Sequence, residues 1–457
     1  MNDAFVSTRL AALTKHPLVR RVVTSFMSRL LGAVANVAFV VYLGRYLGAE
    51  QTGLYMIGLG AATLLSTVGR LGLEQIAIRE GGPLVRDRQW AALHVLYRRS
   101  MTLSMCASTA IAVLLALLAY PLAHYVFHKD GLAVVLPWFA ASILPLSYAF
   151  MHVPFLQVVL RPERSIALLS LWIPLVSLPL LLLIDPRSAA QGAALYLAAC
   201  MINAAIACIQ WRRCSHAGAA RQERPSGVTR VPLLRPAIPL LIGNIGQIAL
   251  LWIAVFAVGI VASSVEVGAY SVAQRVALTL SGFLLPPIDA MVGPRIAVMR
   301  GVSTREQIGE LVRSISSVLF PLAALLFGFI VLFGHEILNV FGGQFGDGYW
   351  ALVCLTFGQL VIVASGSIRP VLVVHGQEKQ IRNAMVCAAI ACAALCAVLL
   401  PMIGPIGAAI ATSVSLAGEK LVEGIVANRK LGIATHPSYR FYALQLRTWS
   451  QRRNRQS

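Results

Sequence analysis

The chain has 457 residues, of which 58% are hydrophobic and 12% charged, with a formal net charge of +20. Soluble domains carry about 25% charged residues, so a water-soluble fold is excluded. At about 20 apolar residues per crossing there is material for about a dozen membrane helices and little left for a soluble domain.

The amino terminus comes first. Residues 1–21 hold Arg9, Lys15, Arg20 and Arg21 between short apolar stretches. The first long apolar run opens at Val22 with no small-residue cleavage site in front of it, which predicts a basic cytoplasmic interfacial segment and no cleaved signal. Apolar runs bounded by Gly, Pro or charge then follow near 22–43, 53–72, 101–123, 132–158, 165–184, 190–211, 237–261, 267–293, 314–333, 350–374, 383–400 and 404–427. Twelve spans are expected, in an all-α polytopic membrane protein. The expected organisation is a basic segment 1–21, a first lobe 22–211 with spans 1–6, a polar linker 212–236, a second lobe 237–427 with spans 7–12, and a basic tail 428–457.

Charge placement orients the spans. With the amino terminus inside, 31 of the 38 Lys and Arg fall on cytoplasmic segments, counting Arg70 at the inner end of span 2, while the external loops hold only Arg45, Lys129 and Arg187. That asymmetry follows the positive-inside rule and assigns the basic surplus to orientation and anionic headgroups, not to nucleic acid. Both termini are therefore expected in the cytoplasm. The external loops are too short for a catalytic domain.

The two halves repeat. A constant offset of 215 residues pairs Gly53 and Tyr55 with Gly268 and Tyr270, Gly44 with Gly259, and Arg98 with Arg313. It also pairs Val158, Val159 and Glu163 with Val373, Val374 and Glu378, and Gly192-Ala193-Ala194 with Gly407-Ala408-Ala409. Six spans per half is an even number, so both halves enter from the same side as parallel repeats, and the interface between such repeats is the expected place for a central cavity.

Catalytic signatures are missing: the sequence has no GxxxxGK[ST], GxSxG, HExxH or CxxC motif, so it gives no support to an ATPase or hydrolase, and no cofactor is expected. His124 and His128 share a helix face at i, i+4 but lack a third ligand, and no metal is expected there. Seven cysteines fall inside apolar runs and Cys214 in a basic loop, a pattern of small core residues without a disulfide framework.

The informative residues are charges where charge is costly, since placing an arginine in a span costs about 2.5–3.5 kcal/mol or more. Arg29 lies in span 1 on a polar stripe with Ser25, Gly32 and Asn36. Span 8 repeats the device with Ser271, Gln274, Arg275 and Gly282, and span 7 places Asn244 and Gln247 at the repeat equivalents of Arg29 and Gly32. Spans 1, 2, 7 and 8 are thus expected to line a wet cavity. Arg369 lies close enough to the inner face to snorkel. The expected substrate-binding set is Arg29, Asn36, Asn244, Gln247, Gln274, Arg275 and Arg369. Arg70, Glu74, Glu419, Lys420 and Glu423 read as a solvated inner rim or gate, and Pro286-Pro287 as a break or kink in span 8.

The segment VYLGRYLGAEQTGLYMIGLGAATLLSTVGRLGLEQIAIRE resembles the opening of bacterial polysaccharide repeat-unit flippases, the O-antigen type transporters of the multidrug/oligosaccharidyl-lipid/polysaccharide superfamily. The second-half echo GIVASSVEVGAYSVAQRVALTLSGFLLPPIDAMVGPRI is similar to the same family at span 8. The resemblance implies two six-helix lobes in the bacterial inner membrane that move an undecaprenyl-diphosphate-linked oligosaccharide from inner to outer leaflet by alternating access. It also implies cavity-facing arginines at Arg29 and Arg275, and as partners the lipid-linked oligosaccharide, membrane lipids, a glycan polymerase and glycosyltransferases. A monomer is expected. Many relatives carry an Asp in span 7 where this chain has Ala254, so a coupling scheme that uses that acid does not transfer. A multidrug antiporter of the same superfamily is the main rival. A peptidoglycan-precursor flippase usually has fourteen spans, and a glycan polymerase would need a larger external loop than 334–350, whose acidic and histidine side chains are His335, Glu336 and Asp347.

Overall fold

The computed structural model describes residues 17–159, 161–219, 233–299, 305–366 and 368–432. Most of the basic amino-terminal segment, the centre of the 212–236 linker and the tail beyond Gly432 lie outside the described residues. Within the described residues the regular elements are all helices. In the first half these are α1 (Pro17–Gly69), α2 (Leu73–Arg86), α3 (Trp90–Leu117), α4 (Gly131–Val158), α5 (Pro162–Ser170), α6 (Trp172–Ile184) and α7 (Ala189–Ala219). Then come α8 (Leu234–Val261), α9 (Ser264–Met299), α10 (Arg305–Asn339), α11 (Tyr349–Ala364), α12 (Ile368–Val374), α13 (Glu378–Ile403) and α14 (Pro405–Leu431).

A bilayer leaves no water to satisfy an exposed backbone, so apolar sequence must cross it as helix. Among the described residues, nine helical segments are long and apolar enough to do so. The first, Thr24–Gly69, is 46 residues long, about 69 Å at 1.5 Å per residue, twice the roughly 30 Å hydrocarbon core. It breaks at Gly48 (φ 76°, ψ 174°) and so supplies two crossings. α9 and α14 are as long as the others but carry the polar and charged residues discussed below, which lower their hydropathy. Counting them gives the twelve crossings of a multi-pass membrane protein. Large apolar side chains on the surface, such as Leu183 (82% exposed), Leu332 (76%) and Met402 (74%), have lipid as their natural solvent.

Two compact units form, Met1–Ile248 and Ala249–Ser457. The division falls inside α8, whose first part packs within unit 1. Gly72, at φ +70°, sits where an added Cβ would meet the Ala237 carbonyl at 2.6 Å and the Leu241 amide at 2.7 Å. Ala237 and Leu233 close an apolar core with Leu73, Leu93, Phe155 and Trp211. In unit 2, Val292, Ile296, Ile368, Ile381 and Leu431 form the corresponding cluster.

The 215-residue offset holds in the element order. The break at Gly48 has its counterpart between α8 and α9, the start of α5 corresponds to that of α13, and the start of α7 to that of α14. The shared Gly-x-Tyr motif is a packing device: Tyr55 and Tyr270 are 0% and 1% exposed. Tyr55 meets the Phe139 ring edge-on at 5.1 Å, and the Tyr270 hydroxyl lies 3.1 Å from that of Thr412.

Three expectations change. The helix α9 runs unbroken through Pro286-Pro287, so of the expected break or kink the break does not occur. The equivalent stretch of unit 1 breaks instead, at Leu71 (φ 54°) and Gly72, because glycine supplies the left-handed conformation that ends a helix. Cys214 is in α7 and not in a loop; it is buried and accepts a hydrogen bond from Arg164 Nη1 at 3.4 Å. The span expected at 165–184 is two helices, interrupted at Leu171.

Candidate functional site

Arg29 is exposed on the first half of α1. Asn36 on the same stripe is half-buried, whereas Gly32 between them is buried, where a Cβ would collide with the Ser170 carbonyl. The stripe therefore divides: its glycine seats α1 against the end of α5, and its arginine stands clear beside that contact. No described side chain pairs with Arg29.

Asn244 and Gln247 lie one turn apart on the unit 1 part of α8. Gln247 is exposed. Asn244 donates from Nδ2 to Glu74 Oε2 at 3.3 Å, and Glu74 Oε1 is paired with Arg70 Nε at 2.5 Å. Arg70 also donates to Ser66 Oγ (3.1 Å) and Thr67 Oγ1 (3.0 Å), and its guanidinium sits 5.2 Å from the Phe150 ring centroid. This corrects the expectation of a solvated rim. Arg70 is 6% exposed, because two hydroxyls one turn back and a carboxylate one turn ahead replace its water.

Gln274 and Arg275 are neighbours on α9 facing the unit 2 part of α8. Gln274 is 6% exposed and donates from Nε2 to the Leu251 carbonyl at 2.8 Å. The half-buried Arg275 lies 5.5 Å from the Trp252 ring centroid, within cation–π range. Beside them a small cleft of about 10 Å³ is lined by Leu251, Gln274, Leu278, Gln359, Thr412 and Leu416. Ligand sites run to about 300–1,000 Å³, so this space holds water-sized groups and not a glycolipid head.

Arg369 on α12 stands apart from these groups. Its Nε is 3.2 Å from Glu423 Oε1 and its Nη2 pairs with Glu419, while Lys420 Nζ lies 2.6 Å from Glu423 Oε2. The Glu419 side chain is 4% exposed and that of Glu423 0%. The acids expected at a solvated gate are thus a buried, charge-balanced network. The i, i+4 spacing of the two glutamates announced a shared face. That Arg369 meets it, 50 and 54 residues away in sequence, had no local signal.

Tyr97 and His152 also escaped sequence reading. Buried His152 accepts or donates through Nε2 to the Tyr97 hydroxyl at 3.0 Å and through Nδ1 meets the Tyr148 carbonyl at 2.8 Å. His124 and His128 do not converge: His124 Nδ1 bonds to Asp130 Oδ1 at 3.0 Å and His128 Nδ1 to the His124 carbonyl. Among the described residues no three His, Cys, Asp or Glu side chains form a metal-holding group.

The fold is similar to that of several solved transporters. An inward-facing multidrug resistance MATE-family transporter of the MOP superfamily matches with TM-score 0.66 and 11% identity, over 90% of this chain and 98% of that one. Lipid II flippase MurJ in an inward closed conformation matches with TM-score 0.65 and 14% identity over 90% and 87%. A MOP superfamily transporter from Pyrococcus furiosus gives 0.59 and 13% over 91% and 95%. No curated protein sequence matches the chain. A family profile described as polysaccharide biosynthesis protein matches residues 18–300, well over half of the chain. The chain belongs to that family.

Proposed function

We propose that this protein is a flippase of the bacterial inner membrane that carries an undecaprenyl-diphosphate-linked oligosaccharide from the inner to the outer leaflet by alternating access, acting as a monomer with both termini in the cytoplasm. The reading rests on one observation: in a polysaccharide biosynthesis family member, arginines stand on membrane-crossing helices in each unit, Arg29 exposed on α1 and Arg275 half-buried on α9. A lipid diphosphate is an anion, and the guanidinium fork binds phosphate oxygens bidentately. Asn36, Asn244, Gln247 and Gln274 add amide groups suited to sugar hydroxyls or phosphate, and Arg369 is a further cation. Outward movement of one negative charge is favoured by about 2.3 kcal/mol per 100 mV, so the membrane potential assists transport. A glycan polymerase and glycosyltransferases are the partner enzymes such a role requires.

Export of surface glycan and membrane protein level are the paired readouts for Ala and Lys variants at Arg29 and Arg275. Arg→Ala should abolish export at near-normal abundance, and Arg→Lys should recover part of it, because lysine keeps charge without the fork. Normal export by the double Ala variant removes the proposal; loss of export only in step with lost protein makes both arginines structural. The second reading, a multidrug antiporter, draws on the likeness to MATE-family transporters. Its cationic cargo calls for carboxylates, of which α9 offers Asp289. Resistance to lipophilic cations in a drug-sensitive host, lost in Asp289→Asn, would favour it.

A further inference from the structure

We infer that Glu419 is a proton-binding site that controls whether Arg369 is free to hold an anion. The inference rests on the anionic-cargo reading above and adds to it a proton linked to anion binding and the residue that carries it.

The network contains two carboxylates and two cations, and they are unequally matched. Glu423 pairs with both Arg369 Nε and Lys420 Nζ, whereas the close ion pair of Glu419 is with Arg369, and Lys420 acts on it only from a distance. Arg369 divides its fork between the two acids, so neither receives the bidentate geometry that makes an arginine–carboxylate pair strong. The carboxylates are buried, but the Arg369 side chain remains 31% exposed. One member of the network is thus within reach of a ligand, and it is the cation.

The other charges near α14 leave this balance intact. Glu378, Lys379 and Arg382 lie in the first turns of α13, where Arg382 donates to Asn383. His375 Nδ1 is engaged with the Val371 carbonyl. Asp289 belongs to α9, and α11 carries no charged residue. Arg369, Lys420 and Glu423 are the charged groups facing Glu419 among the described residues.

A proton added to the Glu419 carboxylate gives a neutral acid and leaves Glu423 held by Lys420. Arg369 then carries a positive charge with only a shared partner, and a phosphate oxygen can take the place Glu419 vacates. The exchange is reciprocal: anion binding at Arg369 raises the proton affinity of Glu419, and deprotonation returns Arg369 to Glu419 and expels the anion. Proton and anion are thus taken up together and released together.

The test uses the full chain in nanodiscs of zwitterionic lipid with farnesyl diphosphate as the probe and farnesol as the control. Binding is measured from about pH 8 to about pH 5.5 for wild type, Glu419→Gln, Glu423→Gln and Arg369→Lys. Wild type should bind more tightly as pH falls, with a limiting slope of about tenfold per pH unit for one linked proton. The probe's own protonation works in the opposite direction, since it removes charge near pH 6. Glu419→Gln should bind tightly with that slope lost, Glu423→Gln should keep the slope, and Arg369→Lys should bind weakly throughout. An infrared carboxylic-acid band that appears at low pH in wild type and is absent from Glu419→Gln reports the proton directly and does not depend on the probe. Wild-type binding whose pH slope survives in Glu419→Gln overturns the assignment while leaving the anionic cargo intact. No diphosphate-specific binding by any form at any pH removes the anionic-cargo reading itself, and a carboxylic-acid band retained by Glu419→Gln places the proton elsewhere.

Discussion

Replacing Glu74 by Ala puts the buried network of unit 1 to a quantitative test. The substitution removes the counter-charge 2.5 Å from Arg70 Nε and the acceptor of Asn244 Nδ2. It leaves a guanidinium whose side chain is 8% exposed without a carboxylate. Removing one partner of a buried ion pair costs about 3–5 kcal/mol. The lower end applies here, because Glu74 is 22% exposed and Arg70 keeps Ser66 Oγ and Thr67 Oγ1. A loss of about 3 kcal/mol at about 2–4 °C per kcal/mol lowers Tm by about 6–12 °C. Arg70→Met combined with Glu74→Ala should regain most of this, since neither charge is then orphaned. Thermal unfolding of the purified protein in detergent, followed by intrinsic fluorescence, reads all three proteins. A Tm for Glu74→Ala within about 2 °C of wild type would refute the reasoning, as would a double variant no more stable than the single one.

Gly72→Ala should destabilise by more than about 2 kcal/mol, because the left-handed backbone (φ +70°) and the contact with Ala237 and Leu241 backbone both oppose a Cβ. Gly82→Ala, with nothing within 4 Å of its Cβ inside α2, should instead stabilise by about 0.5–1 kcal/mol; paired melts of the two variants check the contrast. His152→Phe should cost about 1 kcal/mol by removing the ring nitrogen that partners the Tyr97 hydroxyl, and adding Tyr97→Phe should recover part of the loss in the same melt. A single cysteine at Ser226 in an otherwise cysteine-free protein should stay unmodified by an impermeant thiol reagent in intact cells and react after permeabilisation; labelling of intact cells would invalidate the twelve-span topology.

Much of the architecture was legible in the order of residues, because a bilayer acts on each segment separately. Hydropathy decides crossing from about 20 consecutive residues, and the 215-residue offset shows the duplication. The positions of Arg29, Arg275 and Arg369 inside apolar runs were equally plain. Their surroundings were not. Arg369 meets acids 50 and 54 residues away, and Asn244 meets one 170 residues away. Such pairs form only when helices pack, and no window along the chain contains both members. The same limit explains Pro286-Pro287, which local propensity marks as a break although α9 continues through it. It also explains Arg70, which looks like a solvated rim residue until Ser66, Thr67, Glu74 and Phe150 close around it. The sequence by itself determined how many times the chain crosses and where it carries charge; the tertiary structure decided which charges neutralise one another, because ion pairing is set by distances between helices.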